Sequence, residues 1–271
     1  MKIGFIGVGN MGGAILKGAL SQGYIQAENT IIYDISEAKI KEVTALFPVH
    51  VAKTHDELAL WADCIVLGVK PIFLQSVLEK VKPYVAGKRL LSIAAGWSLA
   101  MLQESVGDDA VEIMRVMPNT PALVGAGYTA ICEESTFSGD SFAWGCGLFA
   151  CLGRAEVLPE RLIEAVIVVA GSSPAYVCML IDAMADGAVK QGMPRAQAIQ
   201  AAAQAVMGTA KMVLETGEHP AVLKDAVCSP AGTTIEAVET LEKYGFRGAV
   251  LRAMEACADK SRAMVKAQEG K

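Results

Sequence analysis

The sequence predicts an α/β chain in two parts. A parallel sheet wrapped by helices occupies residues 1–157, and an all-α region occupies residues 158–271. Two observations carry this expectation. In the first part short apolar runs alternate with helical patterns, the mark of strand–helix–strand units. Near Pro159 the strand signals stop, and alanine-rich helical periods continue to the end of the chain. At 271 residues the chain suits two modest domains better than one core.

The first strand and the turn after it organise the rest. Ile3 to Ile6 form an apolar run, and Gly7, Gly9 and Gly12 follow it as G-x-G-x-x-G. A helical pattern then begins at Met11, Ala14, Ile15 and Ala19. This is the turn a dinucleotide pyrophosphate needs. The first glycine permits the bend, the second admits the phosphates, and the third lets helix and strand approach. Open N–H groups of the helix start, from Val8, Asn10 and Met11 onward, face the anion. The alternative is a glycine-rich turn with no ligand. The second strand, Thr30 to Asp34, ends in an acid 22 residues after Gly12. That spacing, near the expected ~20, fits the carboxylate that meets the adenosine ribose. Together these features define a Rossmann-type domain.

The remaining elements follow in order. Ser36 caps a helix, a short strand lies near Val49–Val51, and Thr54 caps another helix. Cys64 to Leu67 is the fourth strand, followed by Gly68 and the turn Val69-Lys70-Pro71. Arg89 to Ile93 is the fifth, closing on Ala94-Ala95-Gly96, and Val111 to Arg115 is the sixth. Met117-Pro118-Asn119-Thr120-Pro121 is a stiff loop, because each proline fixes its own φ and restrains the residue before it. Ligands of open α/β sheets bind beyond the carboxyl ends of the strands. That rule sets Val69, Lys70, Pro71, Ala94, Ala95 and Asn119 on the rim that carries Gly9. In the second part, Ser172-Ser173-Pro174 opens a helix to about Gln191, and Pro194 opens another to about Leu214. A short helix ends at Val227, Thr233-Thr234 begins a further one, and the last starts near Arg247.

Composition narrows the function. The net charge of −5 and the absence of a basic stripe argue against nucleic acid. Hydrophobic content is 53% and mean hydropathy +0.38, yet no uncharged apolar stretch reaches the ~18 residues of a membrane span. Glu164, Asp182 and Asp186 interrupt the most apolar segments. The excess therefore points to helix–helix and subunit contacts, and to a homodimer or larger homo-oligomer. Seven scattered cysteines, none spaced C-x-x-C, read as reduced core residues of a cytoplasmic protein. No metal is expected, since no His/Cys/Asp cluster has ligand spacing.

Ser229-Pro230-Ala231-Gly232-Thr233-Thr234 is a second helix start able to hold a carboxylate or phosphate, or else a plain loop and cap. With this stretch the chain resembles the pyrroline-5-carboxylate reductase family. Phe5 to Gly12, Val69-Lys70-Pro71, Ser92 to Gly96 and Met117 to Ala122 carry the likeness in the first part. Gly171 to Tyr176, Gly192 to Arg195 and Lys224 to Thr234 carry it in the second, in the family's order over nearly the whole chain.

The resemblance implies reduction of the cyclic imine 1-pyrroline-5-carboxylate to proline with NADPH or NADH. It also implies a dimer-based assembly whose active site lies between one subunit's nucleotide domain and a partner's helices. It makes Ser229, Gly232, Thr233 and Thr234 the cradle for the substrate carboxylate, with the Thr234 hydroxyl nearest the reacting ring. Glu160 matches an acid near the substrate, though an ordinary first-turn helix acid is the alternative. Asn119 and Ala95 flank the nicotinamide, and Val69, Lys70 and Pro71 the adenosine side. The chemistry agrees. A ketone reducer needs a positioned acid, and none of the three histidines lies in a catalytic motif. An imine enters already protonated, which leaves mainly a positioning task. Cofactor choice stays open: Asp34 favours NADH, while Ser36, Lys39 and His55 are candidates to seat a phosphate. Two rivals are a 3-hydroxyacid dehydrogenase-like oxidoreductase and a non-catalytic dinucleotide-binding protein. The first expects a lysine between Gly171 and Ala183, where there is none; the second expects a degraded Ser229–Thr234 stretch, which is intact.

Overall fold

The computed structural model describes residues 1–269. Two compact units emerge: Met1–Ser172 together with the chain from Cys257 onward, and Ser173–Ala256.

The first unit is built on one eight-stranded sheet in the order β3-β2-β1-β4-β5-β6-β7-β8. Strands β1 (Ile3–Ile6), β2 (Thr30–Tyr33), β3 (His50–Val51), β4 (Cys64–Leu67), β5 (Arg89–Ser92) and β6 (Glu112–Met117) run parallel, near the six predicted positions. Helices α1 (Asn10–Ser21), α2 (Glu37–Thr44), α3 (His55–Trp61), α4 (Pro71–Val81) and α5 (Leu99–Val106) connect them. The apolar runs are continuous because both faces are covered. Ile3, Phe5, Cys64, Val66 and Leu91 join one core cluster, while Ile6, Ile65, Leu67 and Leu90 join the other. Register pairs Ile6 with Tyr33 and Leu67, and Leu67 with Ser92, so these strands end on one edge.

Two strands escape the sequence reading. β7 (Gly127–Cys132) pairs antiparallel with β6, and β8 (Gly153–Leu158), entered after helix α6 (Gly139–Ala150), pairs parallel with β7. The expected parallel sheet therefore ends in two reversed strands, joined to it through one antiparallel pair. β8 hides its nature because Arg154 and Glu156 alternate with apolar residues at the sheet edge.

The helix predicted from Ser172-Ser173-Pro174 is present and begins at Ser173, but no break in the helical backbone precedes it. Helical backbone is continuous from Glu160 to Lys190, through α7 (Ile163–Val166), a wider π turn at Ile167–Gly171 and α8 (Ser173–Lys190). Ser172 is itself helical, at φ −97° and ψ −26°, and its N–H donates to the Ile167 carbonyl at 2.9 Å. Proline has no N–H for the carbonyl four residues back. That carbonyl, Ala170, accepts instead from the Asn119 side-chain amide at 3.1 Å. The compact first unit thus runs past the 157/158 change of character, up to Ser172.

In the second unit α8 packs against α9 (Arg195–Thr216). Ala185, Ala198 and Ala202 are its buried apolar residues, small enough for close approach of two helices. Gly217 stops α9 in the left-handed conformation, at φ 67°. Helices α10 (Pro220–Val227) and α11 (Thr233–Lys243) follow, and α12 (Phe246–Glu269) leads from the second unit back into the first.

Candidate functional site

The turn after β1 is packed to its limit. Gly7 adopts φ 91°, and a Cβ there would meet the Gly68 backbone at 2.8 Å. A Cβ on Gly12, or on Gly68, would collide with the Gly7 carbonyl oxygen. These three glycines therefore serve the contact of β1, β4 and α1. Gly68 is a member of the turn that motif spacing missed; its signal is a glycine directly after the apolar run of β4. Gly9 differs. A Cβ there meets nothing within 4 Å. Space for a ligand remains at the residue whose smallness the protein itself does not require. Gly9 is also the N-cap of α1 and supplies no side-chain cap, so the first-turn N–H groups, from Asn10 and Met11 onward, are left to an outside acceptor. These residues fit a dinucleotide pyrophosphate.

Asp34 stands just past the end of β2 and is only partly exposed. Its Oδ2 accepts the Val8 N–H at 2.8 Å, and its Oδ1 accepts the Ser36 N–H at 2.9 Å. Ser36 itself caps α2, its hydroxyl accepting from the Lys39 N–H at 3.5 Å. His55, at the start of α3, lies against the Tyr33 ring with centroids 4.3 Å apart. Burial first, and the nearby Lys80 charge second, hold the His55 imidazole below its usual pKa.

The strand edge also carries the other predicted positions. Lys70 is the exposed N-cap of α4, Pro71 its first residue, and Val69 packs into the core beside them. The Pro71 carbonyl accepts from the Trp97 indole at 3.2 Å. Ala94 is buried, its N–H donating to the Ser92 hydroxyl at 3.4 Å, and partly exposed Ala95 precedes Gly96 at φ 76°. Two further residues are engaged by the protein itself. Asn119 is 8% exposed; its carbonyl accepts the Tyr128 N–H at 2.8 Å, and its amide reaches Ala170. Glu160 Oε1 accepts both from Arg115 Nη1 and from the Leu99 N–H, each at 2.6 Å. Arg115, 5% exposed within β6, was not foreseen; a lone arginine inside Ile113-Met114-Arg115-Val116-Met117 is its signal.

In the second unit, Ser229–Thr234 makes a turn and a helix start. The Gly232 N–H donates to the Ser229 carbonyl at 3.0 Å, and Gly232 is the N-cap of α11 without a side-chain cap. A Cβ on Gly232 would stand 2.5 Å from the Ser229 hydroxyl. Ala231 has φ 56°, the lone positive φ outside glycine among the described residues. Such strain gathers at functional loops. Thr233 is exposed and Thr234 half-buried.

Comparison with known proteins agrees with this geometry. Residues 160–264 match the family model "Pyrroline-5-carboxylate reductase dimerisation", and residues 2–96 match "NADP oxidoreductase coenzyme F420-dependent". The chain is 49% identical to pyrroline-5-carboxylate reductase of Escherichia coli, over 98% of each chain. It is 40% identical to that of Synechocystis, over 98% of this chain and 99% of the relative. Among solved structures, pyrroline carboxylate reductase of Plasmodium falciparum with NADP bound superposes with TM-score 0.89 at 32% identity, covering 98% of both chains. With both its glycine turn and its helical region matched in one continuous alignment, this chain belongs to the pyrroline-5-carboxylate reductase family.

Proposed function

We propose that the chain reduces the protonated C=N bond of 1-pyrroline-5-carboxylate, holding the nucleotide at the glycine-rich turn and the substrate carboxylate at the Ser229–Thr234 turn, in a homodimer or larger homo-oligomer. The activity itself, NAD(P)H-dependent reduction of this imine in proline biosynthesis, is that of the family. The open space at Gly9 above an uncapped helix start carries the nucleotide half of the reading. When bound, the nicotinamide supplies the hydride. Gly9, Asn10, Met11 and Gly12 face the pyrophosphate, while Gly7 and Val8, whose N–H groups are taken by Tyr33 and Asp34, shape the turn beneath it; Asp34, Ser36, His55, Val69, Lys70 and Pro71 bound the adenosine side; Ala94, Ala95 and Asn119 bound the nicotinamide side.

Ser229, Gly232, Thr233 and Thr234 hold the substrate carboxylate on the N–H groups of α11, without an arginine. The Thr234 hydroxyl tends the proton on the ring nitrogen. A protonated imine needs no strong acid beside it, so orientation is the main work. Glu160, whose Oε1 is engaged by Arg115 and Leu99, acts in this reading by holding the strand edge in place.

Subunit contact is supported by the apolar helix Glu160–Lys190. It is strongly apolar yet largely unburied, and it lies inside the dimerisation match. By length and composition the same helix is apolar enough to cross a membrane, but Glu164, Asp182 and Asp186 interrupt it and we assign its bare face to a second copy. A cytoplasmic home fits seven unpaired cysteines.

The test is Thr234→Ala. Turnover with pyrroline-5-carboxylate falls by about tenfold or more, as for loss of a proton-handling group, while nucleotide affinity is kept. Equal loss of both, or oxidation of the reduced nicotinamide by a 3-hydroxyacid's keto partner instead, overturns the reading.

A further inference from the structure

We propose that Asp34 makes this chain select NADH over NADPH, by refusing the phosphate on the adenosine 2′ position. The inference rests on the glycine-rich turn being the nucleotide site. Asp34 does not hang loose over that turn. Val8 and Ser36 N–H groups hold its two oxygens from the glycine turn and from the α2 start, at 2.8 and 2.9 Å. Each oxygen keeps acceptor capacity, and neither can donate when ionised. A ribose hydroxyl beside it supplies a donor. A 2′-phosphate supplies only acceptors and a second negative charge.

The cations close to that phosphate position are committed elsewhere. Lys39 Nζ lies 3.0 Å from both carboxylate oxygens of Glu42, and Lys41 faces Glu37 at 3.9 Å. The Ser36 hydroxyl, which caps α2 by accepting from the Lys39 N–H, carries one O–H donor but no charge to balance a phosphate. His55 lies tilted against the Tyr33 ring, and burial first and Lys80 second lower its pKa, which disfavours the cation. The segment from Asp34 to Glu42 thus offers a fixed anion and no unpaired cation.

Titrating the full-length protein with NADH and NADPH, followed by nicotinamide fluorescence, reads the claim without turnover. NADH binds about tenfold tighter or more, a difference of about 1.4 kcal/mol. Added salt narrows the gap by helping NADPH, because screening weakens the repulsion. Asp34→Asn keeps the shape and removes the charge, and shrinks the ratio toward one. Ile35→Arg serves should that variant fail to fold: Ile35 is 86% exposed, and a cation there strengthens NADPH binding while NADH changes by less than about twofold. Lys39→Gln moves the ratio by less than about twofold, since exposed pairs contribute little. Equal or tighter NADPH binding in the wild type, or a ratio unmoved by both Asp34→Asn and Ile35→Arg, overturns the inference. Failure of both nucleotides to bind overturns the site beneath it.

Discussion

The two compact units bury themselves on different terms. Apart from Ala185, Ala198 and Ala202, every buried apolar residue of the described chain lies in the first unit. The second unit leaves Met179 73% exposed and Leu214 73% exposed, with Leu251 and Val227 also bare. Hydrophobic burial drives folding at about 25 cal/mol per Å². The first unit meets that need with its own sheet and helices, and the second does not. A region that holds few of its apolar side chains inside needs another copy to cover them. One chain therefore combines a self-sufficient nucleotide half with a half completed by assembly.

The largest effect follows from covering that bare surface wrongly. Met179→Glu places a charge on the exposed face of α8. It splits the oligomer and abolishes nearly all turnover, while the first unit still binds nucleotide. Light scattering and nucleotide titration read the two halves separately, and an intact oligomer in this variant would dismantle the comparison.

Within the first unit, two neighbouring glycines separate packing from binding. Gly12→Ala drives a methyl group into the Gly7 carbonyl and costs on the order of 3 kcal/mol, visible as a large fall in denaturant midpoint. Gly9→Ala meets no protein atom, so stability stays within about 1 kcal/mol while nucleotide affinity falls by about tenfold. Equal stability of the two variants would break the distinction.

The next effect tests the clamp at the strand edge. Arg115→Met removes the partner of a carboxylate that is 26% exposed at its side chain. Breaking a buried pair costs about 3–5 kcal/mol, and the partial exposure of Glu160 sets the expectation at the low end, about 3 kcal/mol by denaturant titration. Restoring the loss with the double change Arg115→Met and Glu160→Gln is the accompanying expectation, since no charge is then left unpaired.

The sequence disclosed whichever parts depend on local chemistry. Gly7 and Gly12 announced the turn because only glycine tolerates their contacts, with Gly9 completing the pattern, and Ser36 and Thr54 announced caps that the structure contains. It concealed what depends on partners distant in the chain. Asn119 reads as a loop residue, and only the fold reveals that it completes the carbonyl Pro174 leaves without an N–H. The same holds for Glu160, whose carboxylate is held by Arg115 and Leu99 from 45 and 61 residues away, partners that nothing beside it in the chain announces. β8 was missed for a related reason: a strand at the sheet edge alternates like a surface loop.

The smallest effect probes the one strained residue of the second unit. At φ 56°, Ala231 occupies a region that costs a non-glycine residue about 1–2 kcal/mol. Glycine there removes that cost but gives the unfolded chain more freedom, which offsets about 0.5–1 kcal/mol. Ala231→Gly is therefore expected to stabilise the protein by about 0.5 kcal/mol, read as a slightly higher denaturant midpoint. Turnover moves the other way, falling about two- to fivefold, because the turn that aims the Ser229 and Thr234 groups becomes less rigid. Opposite signs in the two readouts mark strain retained for positioning. A variant both more stable and fully active would reduce Ala231 to a tolerated accident of the loop, and the second unit would then differ from the first only in what it leaves uncovered.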